Sequence, residues 1–90
     1  MKTEKIFTIK NKLGLHARAA AALVKTTGRF RSSIKMVKDD VEVDGKSIMG
    51  VLMLAAAQGS QVKVEANGSD AGEALTAIGE IIDDKFGEEQ

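Results

Sequence analysis

Apolar and polar residues alternate at period two in four short stretches and recur at helical spacing in three others. From Lys5 to Lys10, Phe7 and Ile9 fall on one face, which predicts a first strand. Asn11 to Leu15 turns the chain. Ala17 to about Thr27 is alanine-rich and free of breakers, so it predicts a helix. Ala20, Leu23, Val24 and Thr27 share the face expected to pack on a sheet, and Gly28 is expected to close the helix as a left-handed cap. Phe30 reads as a core anchor. Ser32 to Val37 predicts a second strand, with Ile34 and Met36 alternating. Lys38-Asp39-Asp40 is a polar turn, and Val41 to Val43 a short third strand in a hairpin with the second. Asp44-Gly45 turns the chain again.

Ser47 then stands as N-cap of a short helix from Ile48 to about Ala56. At roughly 100° per residue, Val51, Leu54 and Ala55 point one way and Ile48, Met49 and Leu52 the other. A short helix on a small domain cannot bury both faces, unless it is wedged between layers. The expected result is one exposed apolar face, and such patches mark docking surfaces. Gln58-Gly59-Ser60 is a loop. Gln61 to Ala66 predicts a fourth strand with Val62, Val64 and Ala66 buried. Asn67-Gly68 is a turn, and Ser69 or Asp70 caps a last helix from about Ala71 to Lys85. Ala74, Leu75, Ile78, Ile81 and Ile82 form its apolar stripe, and Gly79 inside it is a mild cost. Gly87 onward reads as an acidic, frayed tail. The order βαββαβα predicts an α+β two-layer, open-faced sandwich: a four-stranded antiparallel sheet with three helices on one face.

Composition narrows the function. A chain of 90 residues predicts a single domain over 1–90 with a thin core. Thirteen basic and thirteen acidic residues cancel, and tyrosine and tryptophan are absent. Both facts argue against nucleic acid as the main partner. The absence of cysteine excludes a disulfide framework or thiolate zinc site. One histidine with scattered carboxylates gives no metal-ligand cluster. Met1-Lys2-Thr3-Glu4-Lys5 has no apolar run behind it, so no signal peptide is expected, and no stretch is long enough to span a membrane.

The one histidine, His16, sits where the first turn enters the alanine-rich helix. There its imidazole would face unpaired N–H groups and the positive end of the helix dipole, a setting suited to phosphate. Gly14 permits close backbone approach, and Arg18 brings a fixed positive charge. The plain alternative is a surface or capping histidine without chemistry.

Gly14-Leu15-His16-Ala17-Arg18, followed by Lys46-Ser47-Ile48-Met49-Gly50-Val51, resembles the HPr family, the histidine-containing phosphocarriers of the phosphoenolpyruvate-dependent sugar phosphotransferase system. The resemblance runs over nearly the whole chain. It implies that His16 receives a phosphoryl group from enzyme I and hands it to a IIA component, without a cofactor. A neutral imidazole is a competent nucleophile near neutral pH. The N–H groups of Ala17 and Arg18 would hold the phosphoryl oxygens while the Arg18 guanidinium balances charge. Ser47 matches the family's regulatory serine, the target in some bacteria of a serine kinase and its phosphorylase; it is equally a plain cap. Ile48, Met49 and Leu52 match the family's docking residues, and Ala21 on the first helix neighbours them. The chain departs from the family at Ala19, where proline is frequent. A cytoplasmic location is expected, and a carrier that docks several partners through one small face is most simply a monomer.

Three other readings compete. The same chemistry could serve a regulatory, nitrogen-type phosphotransferase. A docking module could keep the fold and the apolar patch and leave the histidine idle, although the intact His16–Arg18 pair speaks against it. A self-sufficient enzyme is disfavoured, because no second general base or metal cluster stands near His16 in sequence.

Overall fold

A computed structural model describes all 90 residues. The elements run β1 (Lys2–Thr8), α1 (Ala17–Thr27), β2 (Ser33–Lys38), β3 (Val41–Asp44), α2 (Ile48–Met53), β4 (Gln61–Asn67) and α3 (Ala71–Asp83), followed by a 3₁₀ turn at Lys85–Gly87. The strands form one antiparallel sheet in the order β1-β4-β2-β3. The predicted open-faced sandwich is the observed fold.

Alternation explains the two faces. Phe7, Ile34, Met36, Val62, Val64 and Ala66 point to the helices and are buried. The other face is uncovered and carries cross-strand charge pairs: Lys2–Glu65 at 3.2 Å, Lys35–Glu42 at 3.4 Å and Lys63–Glu4 at 3.5 Å. Surface pairs of this kind contribute little to stability, so they keep the face soluble more than they hold the sheet. Helices α1 and α3 lie side by side, with α3 over β1 and β4, and α2 packs on α1 and β3. Leu23, Val51, Ile78 and Ile82 fill the space between the layers. Gly79 has a packing reason: a Cβ there would stand 3.0 Å from the Phe7 ring.

Several expectations change. Strand β1 begins three residues earlier than the alternation suggested, pairing Lys2 with Asn67. Gly28 is right-handed (φ −64°) and is no left-handed cap; its N–H simply donates to Val24 at 2.8 Å. Helix α2 stops at Met53, because Ala55 swings to φ 50°. Phe30 is only half-buried and packs at the margin of the core. Asp70 holds the N-cap position of α3 but makes no side-chain cap bond. Its carboxylate instead accepts from the Ser32 hydroxyl at 2.5 Å and from the N–H groups of Arg31 and Ser32, both at 2.9 Å. The tail after α3 is docked, not frayed. Phe86 is buried in a left-handed conformation (φ 57°), and Gly87 (φ 80°) turns the chain back over the start of α1.

Candidate functional site

His16 is the N-cap residue of α1, in extended backbone (φ −77°, ψ 178°). Extended geometry leaves the first helical N–H groups uncovered. The earliest backbone bond of the helix is Ala20 N–H to His16 carbonyl, at 2.8 Å. The N–H groups of Ala17, Arg18 and Ala19 therefore have no acceptors from the chain. The His16 side chain makes no cap bond of its own.

The loop before it is built around Gly14. This residue has φ 69°, and a Cβ would lie 2.5 Å from the Ala56 carbonyl oxygen and 2.9 Å from Ala57 Cα. Only glycine fits such a left-handed, close approach. The approach lets the Leu15 N–H donate to Ala56 at 2.9 Å, which ties the histidine loop to the segment leaving α2.

The structure adds two residues absent from the sequence-based site. The His16 Nε2 meets the Glu88 carboxylate. That carboxylate also accepts from the Asn11 amide at 2.7 Å. Asn11 is fully buried, and the same amide nitrogen donates to the Gly14 carbonyl at 2.8 Å. The Asn11 amide is the largest influence holding the Glu88 carboxyl below its ordinary range. Burial works in the opposite direction, and the His16 ring and the Arg18 charge add to the lowering. The Lys12 N–H donates to the Gln90 carbonyl at 2.8 Å and fixes the tail beyond Glu88. No local signal marked Glu88, which lies 72 residues from His16 and 77 from Asn11 in sequence.

Arg18 is exposed and lines a shallow cleft with Lys12, Leu13, Phe86, Glu88 and Gln90. Ala17 is exposed beside it. Ser47 caps α2, its hydroxyl oxygen accepting from the Gly50 N–H at 3.0 Å. Ile48 and Met49 are exposed, Leu52 is half-buried and Ala21 is exposed on α1. Met53, at 69% exposure, widens the apolar surface beyond the expected residues. Val51 and Leu54 are buried, so α2 is not wedged between layers; one side packs and the other is bare.

A helix start with unpaired N–H groups, a histidine as its N-cap residue and an arginine two residues on is a setting suited to an anion such as phosphate. A family model described as the PTS HPr component phosphorylation site matches residues 3–84. The chain belongs to the HPr family. HPr is the phosphocarrier of the phosphotransferase system. The chain is 53% identical to the phosphocarrier protein HPr of Cupriavidus necator over 81 residues, covering 90% of this chain and 91% of that one. It is 48% identical to HPr of Neisseria meningitidis over 80 residues, covering 89% and 90%. Its structure superposes on HPr-C-His from Thermoanaerobacter tengcongensis with a TM-score of 0.93 and 48% identity, covering 98% of this chain and 99% of the other. No helix here is long and apolar enough to cross a membrane.

Proposed function

We propose that this chain takes a phosphoryl group from phosphorylated enzyme I on His16 and passes it to IIA components of a sugar phosphotransferase system. The observation that carries the reading is the His16 ring at the open start of α1, beside three unpartnered N–H groups. Those groups would bind the phosphoryl oxygens as they bind other anions at helix starts. Arg18, exposed at the edge of the cleft, would balance the charge that develops in transfer. Ile48, Met49, Leu52 and Ala21 would seat both partners against this mouth, since the Leu15–Ala56 tie keeps α2 next to it. Phosphate on Ser47 would add charge at the start of α2, within this docking face, and so weaken partner binding.

The test is incubation with enzyme I and phosphoenolpyruvate beside a His16→Ala variant, read by intact mass. One acid-labile phosphoryl group on the wild type alone is expected. Labelling of neither protein, both folded, would leave a docking module with an idle histidine.

A further inference from the structure

We propose that Glu88, clamped by the buried Asn11, is the positioning residue that holds the His16 ring in the tautomer whose Nδ1 is the nucleophile. The inference rests on His16 being the phosphoryl acceptor. It begins with what a carboxylate can do: an ionised Glu88 only accepts, so the ring nitrogen facing it, Nε2, must carry the hydrogen. The lone pair of the neutral ring then lies on Nδ1. The Glu88 carboxylate occupies Nε2, which leaves Nδ1, with no hydrogen bond of its own, as the nitrogen a donor would meet.

The clamp is built rather than incidental. Asn11 is fully buried, and its amide nitrogen donates to both the Gly14 carbonyl and Glu88. Turning the amide over would set its oxygen against two acceptors, so its orientation is fixed. Buried Phe86 and the Lys12–Gln90 bond hold the tail on either side of Glu88.

In the transfer, the Nδ1 lone pair forms the new bond to phosphorus. The bond from phosphorus to the donor breaks, and its electron pair stays on the donor. The Nε2 hydrogen stays in place, so the ring of the product is cationic, and the Glu88 carboxylate lies beside that charge. Onward transfer reverses these steps.

The geometry makes an unusual prediction for Glu88→Gln. Asn11 would donate to the one oxygen of the glutamine, which turns the glutamine NH₂ toward His16. Nε2 would then have to accept, and the hydrogen would move to Nδ1, blocking the nucleophile. Glu88→Ala would leave the ring free to share both tautomers. The rate of phosphorylation should therefore fall about tenfold in Glu88→Ala and about a hundredfold in Glu88→Gln. Glu89→Gln, an equal charge change on an exposed neighbour, should match the wild type.

The experiment records ¹⁵N shifts of the His16 ring at about pH 8.5, above the ordinary imidazole range, and initial rates with phosphorylated enzyme I. An Nε2–H ring in the wild type, an inverted ring in Glu88→Gln and the rate order wild type, alanine, glutamine would support the proposal. The same tautomer in all three proteins would overturn it, as would a Glu88→Gln protein as fast as the wild type or faster. Failure of the wild type to take any phosphoryl group would defeat the functional reading instead, and the shifts would still decide the role of Glu88.

Discussion

The N–H of Leu15 donates to the carbonyl of Ala56 at 2.9 Å, and this one bond joins the loop that carries His16 to the segment that ends α2. The start of α1 and the bare apolar side of α2 are thus joined through the backbone. On the proposed reading, a partner seated on Ile48 and Met49 would find the histidine at a set distance. The close approach depends on Gly14.

Gly14→Ala should break that connection. The new Cβ meets backbone at 2.5 Å and 2.9 Å, which no rotamer change relieves, and the residue must also keep φ 69°. A loss of about 2–3 kcal/mol in urea unfolding is expected, from the strained conformation and the collision together. Phosphorylation of His16 should fall with it, even at temperatures where the variant is folded. Unchanged stability would mean that the loop can move away from Ala56 freely.

The Asp70 contacts predict how the protein fails in acid. The Ser32 hydroxyl, then the Arg31 N–H, hold the Asp70 carboxyl at about 2, below its ordinary 3.8, against the opposing effect of burial. A carboxyl lowered in the folded state favours folding at every pH above its unfolded value. The benefit is lost as pH falls from about 3.8 toward 2. Wild-type stability should therefore drop across that window. Asp70→Asn should have a lower Tm than the wild type at pH 7, with the gap closing near pH 2. Parallel curves for the two proteins, measured by thermal melts from pH 7 to pH 2, would remove Asp70 from the account.

Much of this architecture was legible in the sequence. Alternation picked the buried positions of β2 and β4, and the alanine run gave the bounds of α1, because both depend on neighbours within a turn or a strand. What escaped depends on distant residues. Asp70 resembled a helix cap, yet its oxygens are engaged by Arg31 and Ser32. Glu88 resembled a charged, frayed end, yet Phe86 and Asn11 draw it onto His16. A glutamate in a polar tail carries no periodic signal of its destination. Gly28 fits the statistics of left-handed caps, but right-handed backbone already satisfied its N–H.

Exposure separates the proposed docking side of α2 from the side that packs. Met49 is 72% exposed and its neighbour Val51 is fully buried. Met49→Asp should change stability by less than about 0.5 kcal/mol, as surface substitutions do. The same charge in the centre of a docking patch should weaken binding to enzyme I or a IIA protein by about tenfold or more. Calorimetric titration of the folded variant checks both halves. Undiminished binding would move the docking surface elsewhere.

Ala19 offers a last test of what the open helix start does. Proline is frequent in the family where this chain has alanine, and the restored N–H has two conceivable roles: closing the first turn or touching the phosphoryl group. The first is not seen, since the Ala19 N–H has no acceptor in the chain and the backbone ladder starts at Ala20. Proline in a first helical turn removes an N–H that is orphaned anyway and pre-sets φ. Ala19→Pro should therefore fold normally, with a gain of up to about 1 kcal/mol from the stiffer unfolded chain. Because Ala19 is buried, the new ring must also fit against its packing neighbours, which the melting curve reports directly. If the Ala19 N–H does hold a phosphoryl oxygen, the lifetime of phosphohistidine in Ala19→Pro should change while stability is kept. An unchanged lifetime in a stable variant would show that the N–H groups of Ala17 and Arg18 hold the group without it.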